Sequence, residues 1–405
     1  MKCLVLFAIM LIFIGCSDGS NNPVSPEPAG KLTKSNAVAS TAEATLDVLV
    51  KYDGRRVPGL HVTVSRDSVQ WTNTTNSRGV ARVIIVSVNW QTHRINGRYQ
   101  VVVRNPLNDI LYEDFVYLKA GSNSHIVSFT NHLSEYPLRL SPGLETTIRD
   151  EYDITDDIYF EDVVFIDDLK VHEGTASSLA GMEYLVNLKS LEIDRNLITD
   201  LTPLARLRYL DDISIRYNPI SDISALSQLT NLRRLKLYGN QINDISALAS
   251  LTNIRNLELG GNNISNISPL AGMDSLNHYI GLNHNQISDI SPLAHLGEFT
   301  GIINLAYNQI SDLSPLVSLE LVSELWLIHN TITDITPLQY LTSLRHVSLK
   351  FTQVTDISAL VNNPGIGSGD YIDLPAETLN EKAILVQVPA LESRGVNVQV
   401  ITWIK

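Results

Sequence analysis

The feature that most constrains this chain is an internal repeat. Between residues 185 and 362 nearly the same pattern returns eight times, with a period of 22 or 23 residues. Leu229–Ser250 is the clearest copy, with the sequence LTNLRRLKLYGNQINDISALAS. Counted from its first leucine, apolar residues occupy positions 1, 4, 7, 9, 14, 17 and 20, and asparagine occupies position 12. A period of this length predicts a solenoid, in which each unit buries its apolar face against its neighbours.

Each position of the unit carries its own structural prediction. The eight units begin at Leu185, Leu207, Leu229, Leu251, Met273, Leu296, Leu319 and Leu341. A degenerate ninth unit precedes them, with Val163, Ile166, Leu169, Val171, Leu179 and Met182 in the apolar positions. Because variable and apolar residues alternate over positions 6 to 10, we predict a strand there. Stacked units then form a parallel sheet on the concave face.

The polar positions of the unit predict how the chain turns. Position 12 is Asn196, Asn218, Asn240, Asn262, Asn285, Asn308 and Asn330, then Thr352. A buried carboxamide donates and accepts, so this asparagine is expected to satisfy backbone groups that have no partner in the sheet. Positions 18 and 19 are Ser or Thr followed by Pro or Ala, which predicts a helix N-cap with proline at N1. A short helical or 3-10 turn is therefore expected on the convex side, supported by the aspartate at position 16.

The N-terminus predicts export and lipid anchoring. Residues 1–15 combine a basic start with the apolar run Cys3–Ile14, which suits a signal peptide and is too short to span a membrane. The run ends in Phe13-Ile14-Gly15-Cys16, which resembles the lipobox of bacterial lipoproteins. That resemblance makes Cys16 the lipidated residue, with a plain secretory signal as the alternative. Residues 16–43 are rich in Ser, Asn, Pro and Ala and are expected to form a flexible tether.

Residues 44–131 predict an all-β module of the sandwich type. Short alternating strands are expected over residues 45–50, 60–65, 80–88, 99–104, 110–118 and 125–129, with glycine and asparagine turns between them. The segments DGRRVPGLHVTV and TTNSRGVAR are similar to bacterial Ig-like and carboxypeptidase-regulatory-like modules. Such modules act as spacers and sometimes bind carbohydrate. Trp71 and Trp90 are therefore either core residues of the sandwich or a binding pair.

The segments that flank the repeats complete the resemblance. Residues 141–184 hold PGLETTIRDEY, an expected cap helix, together with the degenerate repeat. Residues 363–405 are expected to form an α/β C-terminal cap. With the repeat register and asparagine positions, these caps resemble the 22-residue leucine-rich repeats of internalins and related bacterial surface proteins. Internalins place their Ig-like module after the repeats, whereas here the β module precedes them, so no internalin receptor is carried over.

The sequence contains no recognisable catalytic, metal or cofactor site. The net charge of −13 argues against nucleic-acid binding. The two cysteines, Cys3 and Cys16, exclude a disulfide framework and a cysteine zinc site in the mature protein. The acidic run of residues 150–168 lacks the calcium-loop pattern and is expected to be a solvated cap face. No histidine pair has ligand spacing, and nothing selects a carboxylate pair for glycoside hydrolysis. We expect a protein that is not an enzyme and needs no cofactor or metal.

The variable positions 6, 8, 10 and 11 are the expected site of function, because packing dictates their neighbours but not them. The predicted ligand-binding residues are Arg216, Arg234, Lys236, Tyr238, Tyr279, Asn304, Trp326, Ile328, His346 and Phe351. Exposed Trp, Tyr and Arg are typical of binding hot spots. The alternative is that the outward residues are strand-forming residues that cover the sheet and have no binding role. The sequence predicts an envelope protein, at the outer membrane or cell surface, that binds a protein or peptide. A glycan-binding adhesin and a structural envelope component are the other hypotheses.

Two neighbouring units differ from the rest in length. Units five and six each carry one extra residue between positions 4 and 7. Matched insertions are expected to bulge the entrance to the strand, and a bulge re-aims side chains. A copied duplication without function is the alternative.

Overall fold

The computed structural model describes the strand residues between 43 and 129, without their connecting loops, and residues 137–401 continuously. The predicted signal peptide, Cys16 and nearly all of the predicted tether lie outside the described residues, as does Trp90. Among the helices of the described part, none combines the length and hydropathy needed to cross a bilayer.

The repeats form one continuous parallel sheet, as the period predicts. Each unit contributes a three-residue strand, and all strands pair in register with the next unit. The nine repeat strands are β9 (Asp168–Lys170), β10 (Ser190–Glu192), β11 (Asp212–Ser214), β12 (Arg234–Lys236), β13 (Asn256–Glu258), β14 (Tyr279–Gly281), β15 (Ile302–Asn304), β16 (Glu324–Trp326) and β17 (His346–Ser348). β18 (Tyr371–Pro375) and β19 (Asn397–Ile401), from the C-terminal cap, extend this sheet to eleven strands. The leucine-rich solenoid predicted from the sequence is thereby confirmed.

The regular strand is shorter than predicted, covering positions 6 to 8 rather than 6 to 10. Hydrogen bonding continues past it, since the N–H of Ile193 donates to Ser214 and the N–H of Arg195 donates to Arg216, both at 2.8 Å. At position 11 the backbone becomes left-handed in every unit. The φ angles there are positive in Arg195, Tyr217, Gly239, Gly261, His284, Tyr307, His329 and Phe351. This turn directs the chain from the sheet into the core.

The position-12 asparagines form the expected ladder inside the solenoid. Asn262 accepts the N–H of Ile242 at 3.0 Å and donates to the carbonyls of Leu237 and Leu259 at 3.0 and 2.9 Å. The same pattern recurs along the stack, and all seven asparagines are buried. Each carboxamide therefore satisfies backbone groups of two neighbouring units at once.

The convex side carries short 3-10 turns, but the predicted serine N-cap is wrong. Full-length turns run over Ser224–Gln228, Ser246–Ser250, Ser268–Gly272, Ser291–His295, Ser314–Ser318 and Thr336–Tyr340, with shorter ones at Met182–Tyr184 and Thr202–Leu204. The serine or threonine is the first residue of the turn and caps nothing. The aspartate two residues earlier accepts its N–H instead, as Asp244 does from Ser246 at 2.8 Å. This is an Asx-type bond, and the isoleucine between the two residues, Ile245, is buried in the core.

The extra residues of units five and six are accommodated before the strand. β14 and β15 keep their register, with Tyr279 opposite Ile302. The N–H of Ile302 donates to the His278 carbonyl at 3.1 Å. A Cβ atom on Gly301 would lie 1.8 Å from the same carbonyl oxygen. The insertions therefore bulge only the strand entrance, and glycine is required there by close backbone contact.

Both ends of the solenoid are closed by helices. The N-terminal cap holds α1 (Pro142–Tyr152), which buries Leu144 and Ile148, and the one-turn α2 (Phe160–Val163). The C-terminal cap holds α3 (Ser358–Asn362), a π-helical segment (Ala383–Gln387) and α4 (Val388–Ser393). Arg394 donates to the Val361 and Asn363 carbonyls, which ties α4 to the last repeat. The aspartates at 150, 153, 156 and 157 in the acidic run are exposed, as a solvated cap face requires.

The region before the repeats contains two four-stranded sheets. The first has β1 (Glu43–Tyr52) paired with β2 (Arg55–Arg56), β5 (Val80–Val86) and β8 (Gly121–Phe129). The second has the order β4 (Val69–Thr74), β3 (His61–Arg66), β6 (Gly97–Arg104) and β7 (Ile110–Leu118). β4 is not among the predicted strands. Its Trp71 is half-buried, with the ring 6.1 Å from that of Tyr99. Trp71 packs against the core of the module, which favours a structural role over a binding role.

Two residues of the N-terminal cap belong to the core of the β module. Phe160 and Val164 are fully buried in one cluster with Val48, Val62 and Val101. The cap and the β module thus share apolar contacts, so the junction between them is a packed interface in addition to a covalent link.

Candidate binding surface

The concave face, formed by the outward positions of the sheet, collects nearly all of the predicted ligand-binding residues. Arg234 is exposed and the other nine are half-buried. In-register pairing places Arg234, Tyr279 and His346 in the position-6 row. Lys236, Asn304 and Trp326 share the position-8 row. Phe351 lies at the rim, where the strands end.

Ion pairs dominate the N-terminal part of the concave face. Arg216 pairs with Asp194 at 2.6 Å, and Arg234 pairs with Asp212 at 2.7 Å. Burial alone raises the pKa of Asp194, but hydrogen bonds from Arg216 and Ser214 outweigh it and lower the pKa below its usual range. Lys236 makes no ion pair with any described residue. The positive charge expected here from the sequence is therefore mostly neutralised by acids of the preceding units.

Tyrosine rings cover glycines in the middle of the concave face. A Cβ atom on Gly260 would lie 2.8 Å from the Tyr238 ring, and one on Gly281 would lie 2.7 Å from the Tyr279 ring. Both rings therefore rest against backbone that carries no side chain. Burial, with the charge of Glu258, raises the pKa of the Tyr279 hydroxyl. The missing side chains let two aromatic rings lie at fixed positions, which lowers the entropy lost when a ligand packs on them.

An aromatic cluster occupies the C-terminal part of the concave face. The ring centroids of Trp326 and His346 lie 5.7 Å apart, and those of His346 and Tyr371 lie 6.0 Å apart. Asp373 contacts the His346 ring at 3.4 Å and the Lys350 ammonium at 3.0 Å. These contacts hold the cluster in place while the Trp326 and Tyr371 rings keep exposed area.

The left-handed position 11 generates a rim row of side chains. His284, Tyr307, His329 and Phe351 stack in succession, with centroid distances of 4.1, 4.3 and 4.5 Å. At the other end of the row, the Arg195 guanidinium lies 4.6 Å from the centre of the Tyr217 ring. Burial, followed by the charge of His284, lowers the pKa of His329. Because stacked rings cover one another's faces, the row mainly stiffens the rim.

The concave face holds a serine, a histidine and an aspartate, which are residue types used in catalysis. Ser348 and His346 lie on one strand and Asp373 on the next. In the described part of the chain, the buried Ser348 hydroxyl has no hydrogen-bond partner, so it is not hydrogen-bonded to His346 as the nucleophile of a catalytic triad would be. Among the described residues, no group of three or more histidine, cysteine or acidic side chains is arranged to hold a metal ion.

Tyr371 and Asp373 are not among the residues predicted from the sequence, because the cap that holds them was expected to be separate from the sheet. Both lie on β18, which pairs in parallel with β17. The alternation in the segment YIDLP, with Ile372 and Leu374 buried, is the signal that identifies this added strand. The concave face therefore extends one strand beyond the last repeat.

The repeat register, asparagine ladder and 3-10 turns define a leucine-rich repeat solenoid. A family model described as "Leucine Rich repeats (2 copies)" matches residues 210–250. An internalin (InlF) from Listeria monocytogenes is 34% identical, covers 65% of this chain and 77% of its own, and gives a TM-score of 0.56. Internalin C2 from the same species is also 34% identical, covers 52% and 98%, and gives a TM-score of 0.50.

This chain belongs to the internalin-like family of leucine-rich repeat proteins. Curated protein sequences give no significant match. The family assignment rests on the match to internalin InlF, which covers 65% of this chain.

Proposed function

We propose that this protein is a non-catalytic binding protein of the bacterial envelope, which recognises a protein or peptide on its concave face. The observation that carries the proposal is the aromatic surface of the C-terminal half. Trp326, Tyr279 and Ile302 remain partly exposed on a rigid sheet whose other outward residues are mostly polar. Aromatic side chains fixed in this way are typical of the energetic centres of protein interfaces.

The packing around these residues supports a role in ligand binding over the alternative that they only cover the sheet. Tyr279 lies over Gly281, and the Trp326 indole N–H donates to Glu324 at 3.3 Å. Both rings are thus ordered before any ligand binds. A preordered aromatic loses little conformational entropy on binding, so its buried area converts efficiently into affinity.

The experiment is affinity capture with crosslinking from envelope and host extracts, using the full chain as bait. We expect Trp326→Ala and Tyr279→Ala each to weaken capture of the specific partner by about thirtyfold, the loss of roughly 2 kcal/mol typical of a hot spot. Tyr340→Ala is the matched control, because Tyr340 is an exposed aromatic on a convex turn. Equal capture by all three variants would show that the concave face is not the binding surface.

A glycan array tests the adhesin hypothesis with the same variants. Binding to a defined glycan that is lost in Trp326→Ala makes the ligand a carbohydrate on the same surface. If no glycan on the array binds and a protein is captured specifically, the result favours the leading proposal. A structural envelope component predicts that neither experiment yields a partner.

Anchoring through a lipid on Cys16 is the second part of the proposal and rests on the sequence FIGC. We expect Cys16→Ala to shift the protein from the membrane fraction to the soluble fraction, because the acyl acceptor is removed. Cys3→Ala is the matched control, since Cys3 lies inside the predicted signal peptide. Retention of the Cys16→Ala variant in the membrane fraction would contradict acylation at this residue.

A further inference from the structure

Two arginines lie side by side at the edge of the sheet where the chain enters the strands. The N–H of Arg233 donates to Asp211, and the N–H of Arg255 donates to Arg233, both at 2.8 Å. Residues 211, 233 and 255 therefore occupy neighbouring positions in one column. The two arginine side chains emerge from neighbouring strands, which lie about 4.8 Å apart. Like charges at such a spacing destabilise each other unless a counter-charge lies between them.

No carboxylate of residues 137–401 supplies that counter-charge. Arg233 and Arg255 are exposed and form neither an ion pair nor a side-chain hydrogen bond within this range. Asp211, the neighbour of Arg233 in the column, does not pair with it. By contrast, the next residue, Arg234, pairs with Asp212 at 2.7 Å. The chain thus neutralises the arginine that faces the concave surface and leaves the two edge arginines unpaired.

The unpaired arginines line a small cavity with other polar residues. The cavity measures about 140 Å³ and is bounded by Arg233, Arg255, Asn231, Asn253 and Ser275. The side-chain amide of Asn253 donates to the carbonyl of Thr230 at 2.8 Å, and that of Asn231 bonds the preceding unit in the same way, so both walls are fixed. A water molecule takes up about 30 Å³, so the cavity has room for one tetrahedral oxyanion and a few waters.

We propose that this cavity is a binding site for a phosphate or sulfate group. A guanidinium presents N–H donors in a planar fork that matches two oxygens of a tetrahedral oxyanion. Two forks and the Ser275 hydroxyl supply enough donors for such a group, and the doubly charged anion removes the repulsion between the arginines. The site lies outside the concave face and does not depend on the function proposed for that face.

The test is calorimetric titration of the full chain with sodium sulfate and sodium phosphate, with total ionic strength held constant by sodium chloride. We expect saturable binding by the unmodified protein. Arg233→Gln and Arg255→Gln each remove one charged donor pair and should weaken binding by about tenfold or more. Arg139→Gln is the matched control, since Arg139 is an exposed arginine just before the N-terminal cap. Its affinity should stay within about twofold of the unmodified protein.

Glucose 6-phosphate and glucose 6-sulfate form the second arm. Binding of an ester as tight as that of the inorganic ion identifies a conjugated group as the ligand, whereas binding of the inorganic ion alone identifies the free ion. Both results support the site. Failure of all four probes to bind saturably would overturn the proposal. So would Arg233→Gln and Arg255→Gln variants that keep the circular dichroism spectrum and bind as tightly as the unmodified protein.

Discussion

The asparagine ladder predicts different stabilities for two substitutions that look equivalent in the sequence. Asn308 accepts the N–H of Ile287 and donates to the carbonyls of Leu282 and Leu305, each at 3.0 Å. Asn330 accepts the N–H of Ile310 at 2.9 Å and donates to Leu305 and Leu327 at 2.9 and 3.0 Å. Both side chains are buried. Alanine at either position therefore leaves backbone groups without a hydrogen-bond partner, in a place that water does not reach.

The carbonyls distinguish the two positions. After Asn308→Ala, the Leu282 carbonyl still accepts from Asn285 and the Leu305 carbonyl still accepts from Asn330. Only the N–H of Ile287 loses its partner. After Asn330→Ala, the Leu327 carbonyl has no second donor, because Thr352 donates to Leu349 instead. An unpaired buried group costs about 1–3 kcal/mol. We therefore expect losses of about 1–3 kcal/mol for Asn308→Ala and about 2–6 kcal/mol for Asn330→Ala.

Urea unfolding monitored by far-ultraviolet circular dichroism measures both losses. The lost side-chain volume is the same in the two variants, so their difference isolates the orphaned carbonyl. The slopes must agree with that of the unmodified protein, because a repeat array can lose cooperativity when one unit weakens. Equal midpoints for the two variants, with unchanged slopes, would refute the assignment of an unshared carbonyl at the end of the ladder.

Three further changes test other parts of the structure. Gly301→Ala should lower the thermal midpoint, because its Cβ meets a backbone carbonyl of the preceding unit, whereas Gly297→Ala has open space and should not. Because the His329 pKa is lowered in the folded state, the unfolded chain binds its proton first, so stability should fall as the pH drops below about 6.5. Thermal midpoints at about pH 7.5 and about pH 5 should therefore differ less in His329→Phe than in the unmodified protein; an equal pH dependence would contradict this. Phe160→Ala should increase hydrogen exchange in the β module as well as in the cap, since Phe160 lies on a helix of the cap and is buried in the core of the β module; unchanged protection in the module would contradict this packing.

The solenoid was predictable because its signal is repeated. A single x-L-x-L-x segment is ambiguous, but eight copies in one register specify a parallel sheet, an apolar core and a buried asparagine. The capping role of Ser246 was predicted wrongly, because Ser-Ala is a common N-cap pattern and Asp244 competes for the same N–H. Which oxygen accepts a bond depends on local backbone geometry that composition does not encode.

The residues of the candidate surface were predictable from the sequence, but the charge balance of that surface was not. Sequence register identifies Arg216 and Arg234 as outward, yet only the lateral alignment of strands shows that Asp194 and Asp212 neutralise them. The left-handed turn at position 11 was also not foreseen, because Tyr307 and other non-glycine residues adopt it. Neighbouring hydrogen bonds impose that conformation, and an intrinsic preference of the residue does not.

Photo-crosslinking from defined positions tests most directly the claim that the concave face binds the partner. A photoreactive amino acid is placed at Ile302, on the concave face beside Tyr279, and in a second protein at Val317, an exposed residue of a convex turn. We predict a specific adduct from position 302 in the presence of the captured partner, and none from position 317. Adducts from position 317 with none from position 302 would contradict the account.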